Sequence, residues 1–269
     1  PPESLKPPPS FLPSGCNTHP LLLPYVFTAG GSTVTIGGMC KGSGMIHPNM
    51  CTMLSFLTTD LAISKELLQE ALREDIMDTY NMVSVDGDTS TNDTVLLLAN
   101  GLAGNPVITE KNEDYRAFVE ALRYVNTTLA KQMAGDGEGA TALFEVSVTG
   151  AACKEDARTL SKAVITSNLT KAAIYGHDAN WGRILCAIGY SGVSFDPDRV
   201  DLCFESAAGR IQIMRDGTAL PYSEEEATKI LSEPYVRAGI DIKSGDFEAT
   251  AWGCDLTYDY VKINADYRS

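Results

Sequence analysis

The sequence predicts a mixed α/β fold of the α+β or layered-sandwich kind, not a doubly wound parallel sheet. Segments of helical and strand periodicity alternate irregularly, without a strict βαβ repeat. No internal repeat is present. The length of 269 residues and a hydrophobic content of 44% allow a full core in one large domain or two small ones.

The elements follow in order. Residues 1–29 hold the proline clusters Pro1-Pro2 and Pro7-Pro8-Pro9 and follow neither a helical nor a strand period. They lack the basic start and continuous apolar core of a secretory signal, and the chain does not begin with Met. This segment, bounded at 1–31, is expected to be a linker or the start of a partial chain whose upstream part is absent. Ser32 to Ile36 alternates as a short strand and stops at Gly37-Gly38, ahead of a glycine-rich turn carrying Lys41. Thr52 to Thr59 reads as a buried strand. Ser64 caps a helix with Leu67, Leu68, Ala71, Leu72 and Ile76 on one stripe. Met82 to Val85 reads as a strand, and Asp93 starts a short apolar helix through Leu102. A longer helix from Glu113 to Met133 places Phe118, Leu122, Val125 and Leu129 together and stops at the glycines 135–139. Next come a strand at 141–149, a helix at 154–167, an extended stretch from Leu169 to Tyr175 and a helix at 181–190. The rest is strand-rich near 200–215 and 236–252, with an acidic helix from Ser223 to Ser232 between. The C-terminal run from Ala251 is rich in aromatic and polar groups and is expected to dock.

Charge and cysteines narrow the function classes. A net charge of −14, from 21 Lys+Arg against 35 Asp+Glu, does not supply the basic surface that nucleic acid or an anionic membrane requires. A small-molecule ligand is the better expectation. The seven cysteines are odd in number and form no CxxC pair, which argues for a reducing, cytoplasmic compartment and against a disulfide framework or zinc site. No apolar run approaches the roughly 18 residues of a membrane span.

Several residues carry chemistry. Thr52 follows Lys41-Gly-Ser-Gly-Met-Ile-His-Pro-Asn-Met-Cys51. A threonine hydroxyl is a poor nucleophile unless a cut before it frees its own α-amine, whose pKa of roughly 7.7–8.0 suits a general base. The competing reading is a β-branched residue opening a strand, and on the residues alone it prevails. Lys41 is either a carboxylate clamp or a solvated loop lysine; its glycine spacing is not that of a phosphate loop. Asp86-Gly-Asp-Thr-Ser-Thr-Asn-Asp93 has Thr91 and Leu97 where a calcium loop needs glycine and glutamate, so it reads as a turn and helix cap, with a place in a cleft wall left open. Glu138, among three glycines, either approaches a ligand closely or belongs to a flexible loop. His19, His47 and His177 are too few and dispersed for a metal cluster or a triad, and His177 to Trp181 reads as a capping or packing segment in preference to a site loop.

Five motifs together resemble the ornithine acetyltransferase (glutamate N-acetyltransferase) family of arginine biosynthesis. They are Lys41-Gly-Ser-Gly-Met-Ile-x-Pro-Asn-Met-x-Thr52-Met-Leu, Asp86-Gly-Asp-Thr-Ser-Thr-Asn-Asp93, Asp136-Gly-Glu-Gly-Ala-Thr141, Tyr175-Gly-x-Asp-x-Asn-Trp-Gly-Arg183 and Tyr260-Val-Lys-Ile-Asn-Ala-Asp-Tyr267, in the family's order across about Ser32 to Ser269. The resemblance implies a layered αββα sandwich of the ornithine acetyltransferase and DmpA-like kind. It implies a precursor that cuts itself between Cys51 and Thr52, so that 32–51 ends an upstream subunit and 52–269 is the downstream subunit. Thr52 would then carry acetyl from N-acetylornithine to glutamate as an ester.

Substrate-binding positions fall by the same resemblance on Lys41, Thr52, Glu138, Asn264 and Ser269. No cofactor is implied, although acetyl-CoA serves some members as a donor. The implied partners are the upstream subunit and other cleaved chains in a hetero-oligomer. The chain departs from the family at Cys51, where alanine is usual. It departs also in residues 1–29, which do not resemble the upstream segment carrying the family's Thr-Gly oxyanion hole. Losing one such donor costs about 10²–10³ in rate, so a chain without the pair is expected to be crippled even with Thr52 in place. The alternatives are an inactive or binding-only remnant, or an amidohydrolase or aminopeptidase on a similar self-cleaving scaffold.

Overall fold

A computed structural model describes residues 21–47, 53–89 and 91–266. In chain order the elements are β1 (Leu21–Ala29), β2 (Ser32–Lys41), β3 (Leu54–Thr59), α1 (Lys65–Ile76), β4 (Val83–Ser84), β5 (Thr94–Ala99), α2 (Glu113–Gly135), β6 (Leu143–Ala151), α3 (Lys154–Ile165), α4 (Asn168–Tyr175), α5 (Trp181–Gly189), β7 (Asp201–Ser206), β8 (Gly209–Arg215), β9 (Thr218–Ala219), α6 (Glu224–Leu231), β10 (Tyr235–Asp241), β11 (Phe247–Cys254) and α7 (Tyr258–Asp266). The fold is mixed α/β. Its described residues divide into two compact units, one within Thr18–Asn81 and Asp88–Met133 and the other within Met82–Gly87 and Ala134–Ser269.

The smaller unit is built on a four-stranded sheet of order β1-β2-β3-β5. β1 and β2 form a hairpin across Gly30-Gly31, and β2 continues antiparallel to β3 with Lys41 opposite Leu54. β3 and β5 run parallel, Leu54 level with Thr94. α2 lies against β2 and β3, and Gly38 makes that approach feasible. A Cβ there would stand 2.7 Å from Leu57 and 2.8 Å from Leu129. Beneath β3, Ser55, Tyr80, Asn126 and Asp75 form a buried polar chain.

The larger unit holds a seven-stranded sheet of order β4-β11-β6-β10-β7-β8-β9, parallel at β4/β11 and β6/β10 and antiparallel elsewhere. α3 covers β6 and β11 with Ala157, Leu160, Val164 and Ile165. Its companion α5 buries Ile184, Ala187 and Ile188. On β7 and β8, α6 does the same with Ala227, Ile230 and Leu231.

Several expectations hold closely. Ser64 caps α1 by accepting from the Leu67 amide, α2 begins at Glu113, and the acidic helix expected over 223–232 is α6. Others need correction. Residues 21–29 are a strand, with Pro24 tolerated because β1 is a sheet edge. β2 runs on through its glycines to Lys41. β3 alternates between exposed and buried residues, so it is half-buried rather than enclosed on both faces.

The stretch after Asp93 is the strand β5, not a helix. A short apolar run carries no period that separates the two, and pairing with β3 decides it. Leu169 to Tyr175 is helical. Ser167, read as the end of the preceding helix, caps a new one by accepting from the Thr170 amide at 3.3 Å. The tail docks through its first residues, with Asp255 and Thr257 buried, and then forms α7, whose own side chains stay at least partly exposed. Among the described residues no helix is long and apolar enough to cross a membrane. Cys40, Cys203 and Cys254 are buried thiols, and Cys153 and Cys186 are exposed ones.

Candidate active site

Thr52, Cys51 and Ser269 lie outside the described residues. The structure describes both flanks of the first pair. On the upstream side β2 delivers Lys41, exposed, at its last position, and the chain turns through Gly42 with Ile46 buried. A Cβ on Gly42 would meet the Ile46 side chain at 2.8 Å, so the turn is closely packed. On the downstream side Met53 enters β3 with both backbone groups held. Its N–H donates to Asp93 Oδ1, and its carbonyl accepts from the Thr94 amide at 2.8 Å.

The loop that ends at Asp93 also reaches the upstream flank. Thr89 Oγ1 donates to the carbonyl of His47 at 3.2 Å. The first two motifs are therefore tied together on either side of residues 48–52. This corrects the expectation that Asp86 to Asp93 only forms a turn and helix cap: no helix follows, and Asp93 caps nothing. Burial raises the Asp93 carboxyl above the usual carboxylate range, against the lowering effect of the Met53 amide.

In the larger unit the other three motifs meet around α7. Asn264 Nδ2 donates to Glu138 Oε2 at 2.9 Å and to its own helix at the Tyr260 carbonyl. Two predicted site residues 126 positions apart are thus in direct contact. The loop carrying Glu138 is fastened on its downstream side, at residues 139–142. Thr257 Oγ1 donates to the Gly139 carbonyl at 2.7 Å, and the Asp255 carboxylate accepts from the amides of Thr141 and Ala142 at 2.8 and 3.1 Å. The reading of this stretch as a flexible surface loop is set aside. Tyr175 of the fourth motif meets Tyr258 edge-on, with ring centres 5.8 Å apart. The rest of that motif caps α5, since the Asn180 side chain accepts from the Arg183 amide at 3.1 Å. This is the capping role expected of it.

Two results are expected here. Gly139 has φ +70°, and a Cβ would lie 2.6 Å from the Tyr260 nitrogen and 2.9 Å from the Asp259 carbonyl carbon, both backbone atoms. Gly139→Ala should therefore cost at least about 1–2 kcal/mol in left-handed strain alone, read as a lower urea midpoint. Asp136, in the same loop, is pushed up by burial to about 6 from an ordinary 3.8. The native state then binds this proton more tightly than the unfolded chain. The associated stability is fully present below about pH 3.8 and is lost as pH rises through about 6. Asp136→Asn should remove that slope, so that its urea midpoint gains on the wild type between pH 4 and pH 7.

The chain has relatives among known proteins. The ArgJ family covers residues 17–269 of the chain. The chain belongs to the ArgJ family. It is 59% identical over 240 residues to the arginine biosynthesis bifunctional protein ArgJ of Symbiobacterium thermophilum, which spans 89% of this chain and 59% of that protein. It is 56% identical over 236 residues to the ArgJ 1 protein of Clostridium acetobutylicum, with 88% and 58% covered. The crystal structure of the arginine biosynthesis bifunctional protein ArgJ from Bacillus halodurans superposes with a TM-score of 0.77 at 48% identity, over 80% of this chain and 100% of that one. The chain spans about three fifths of the length of the curated relatives it matches. The ArgJ match begins at Asn17, ahead of Ser32 where the motif likeness starts, and takes in β1.

Two side chains that the structure brings forward are weakly marked or unmarked in the sequence. One is Asp93, whose signal was a carboxylate just before an apolar run. The other is Lys171 on α4, 3% exposed, whose ammonium donates to the Val85 carbonyl at the root of the Asp86 loop and approaches Cys254 Sγ at 3.9 Å. Burial pushes that thiol up to about 11, even against the nearby Lys171 charge. Nothing in the sequence marked Lys171, because the segment around it did not read as a helix. Among the described residues no group of three or more His, Cys, Asp or Glu side chains is placed to hold a metal ion.

Proposed function

We propose that the chain carries the nucleophile of a cytoplasmic arginine-biosynthesis acetyltransferase that moves acetyl from N-acetylornithine to glutamate. Thr52 Oγ attacks the Cys51 carbonyl carbon, the peptide nitrogen leaves as the Thr52 amine, and water hydrolyses the resulting ester. The amine then serves as base. It takes the hydroxyl proton as Oγ attacks the acetyl carbonyl of N-acetylornithine, and returns it to the departing ornithine nitrogen. The glutamate amine attacks the acetyl-Thr52 ester in turn, restoring the hydroxyl.

Lys41 holds a substrate α-carboxylate as a point charge, and Glu138 faces a substrate amine or helps move its proton. Asn264 orients Glu138, and Ser269 completes the binding set. An upstream segment supplies the oxyanion hole, and the cleaved chains assemble as a hetero-oligomer. Acetyl-CoA is a candidate second donor, and no cofactor enters the cycle.

The observation that carries this reading is the Glu138–Asn264 contact, because the resemblance had nominated both residues from motifs far apart in sequence. Intact-mass spectrometry of the protein expressed from its complete reading frame tests the cut, with a polypeptide starting at Thr52 expected. Incubation with N-acetylornithine and glutamate tests the transfer, with ornithine and N-acetylglutamate expected. Acetate without N-acetylglutamate would identify a hydrolase instead. An uncut chain that forms neither product would mark a binding-only remnant.

A further inference from the structure

We infer that Asp93 is a positioning residue for Thr52, acting through the amide of Met53. The inference rests on the proposed nucleophile and deepens it. Met53's nitrogen is bonded to the carbonyl carbon of Thr52, and a peptide unit is planar, so a carboxylate that holds this N–H sets the plane of the unit leaving the nucleophile. The grip has no slack on its other side, because the Met53 carbonyl accepts from Thr94, the residue next to Asp93, at 2.8 Å. Asp93 and Thr94 thus clasp a single residue at both ends, where the parallel pairing of β3 and β5 begins. The same loop reaches the far flank through Thr89 and the His47 carbonyl.

What Asp93 does not do is as informative. It caps no helix, and among the described residues its side chain makes no ion pair and has one hydrogen bond, to Met53. Its other oxygen, Oδ2, is buried without a partner among the described residues. A carboxylate set into a partly buried position for one backbone hydrogen bond is an inefficient stabilising device, since its desolvation offsets much of what the bond contributes. It is an effective aiming device. Misplacing a reacting group by about 1 Å can cost about 10²-fold in rate. Asparagine in its place keeps an acceptor for the Met53 N–H, whereas alanine removes it.

The test compares wild type, Asp93→Asn and Asp93→Ala, each expressed from the complete reading frame, by three readouts. These are exchange of the Met53 amide proton followed by NMR, the yield of the Thr52 terminus by mass spectrometry, and steady-state transfer. Asp93→Ala is expected to speed Met53 exchange, slow scission and lower kcat about 100-fold, with KM for both substrates within about threefold. Asp93→Asn should keep Met53 protected and kcat within about tenfold of wild type.

Equal kcat in wild type and Asp93→Ala would overturn the inference, as would equal losses in both variants, or a raised KM at unchanged kcat. A wild-type protein that protects Met53 yet neither cuts nor transfers would sink the functional reading instead. A Met53 amide exchanging equally fast with and without the carboxylate would sink the grip whatever the activity.

Discussion

Thr52→Ala is expected to leave the chain uncut and to lower acetyl transfer by at least about 10⁴-fold, the loss seen when a covalent nucleophile is removed from a machinery otherwise intact. Alanine keeps the backbone and the start of β3 but has no oxygen to attack either the Cys51 carbonyl or an acetyl group. Both reactions should therefore fail together. Thr52→Ser retains the hydroxyl and should still cut and transfer, more slowly where the lost methyl had restricted χ1. The measurements are the mass of the longest product and the rate of N-acetylglutamate formation. A Thr52→Ala protein that still transfers acetyl at the wild-type rate would mean a direct reaction between two bound substrates, with no acetyl-enzyme and no role for the cut.

Asp75→Ala is expected to cost about 3 kcal/mol of stability, at the lower end of what breaking a buried charge network costs. Asp75 is 1% exposed. Its carboxylate accepts from Asn126 Nδ2 at 2.6 Å, from Arg123 Nε and from Thr79 Oγ1. Asn126 in turn accepts from the Tyr80 hydroxyl at 3.0 Å, and Tyr80 meets Ser55 Oγ at 2.8 Å. Removing Asp75 leaves an amide without its acceptor in the core. Arg123 loses less, because it is partly exposed and lies 3.6 Å from Asp78. The check is urea unfolding with an unchanged slope, Asp75→Asn losing less than Asp75→Ala. Ser55 stands on β3, so the network fastens that strand from beneath. A loss below about 1 kcal/mol would show that Asn126 finds another acceptor.

Much of the fold was legible wherever a local signal had one meaning. Ser64 precedes a run with a single apolar stripe and caps its helix, and the acidic run after Ser223 is helical as read. The helix at Glu113 was long enough for its 3.6-residue period to leave no competing pattern. Legibility ended where local signals were ambiguous. Val95 to Ala99 is short and apolar throughout, and only a ladder with β3 distinguishes strand from helix there. Ser167 directly follows Thr166, the C-cap of one helix, and caps the next, a junction that reads as the frayed end of one helix until the second is seen packing. β1 was obscured by Pro24, which a strand tolerates only at an edge, and edges exist only once a sheet has formed.

The site divides in the same way. The sequence alone determined the chemistry on offer: a threonine that a cut would activate, a lysine at the end of a glycine turn, and a carboxylate among glycines. Five motifs in family order then joined these into one function, with no contact among them visible. Tertiary structure decided which side chains meet. Glu138 is held by Asn264 because β11 and Thr257 bring the start of α7 against Gly139. Asp93 holds Met53 because a parallel strand pair places residues forty positions apart side by side. A hydrogen bond depends on separation in space. The chain encodes that separation only through the sheet its hydrophobic pattern builds, so Asp93 read as an ordinary cap until β5 lay beside β3.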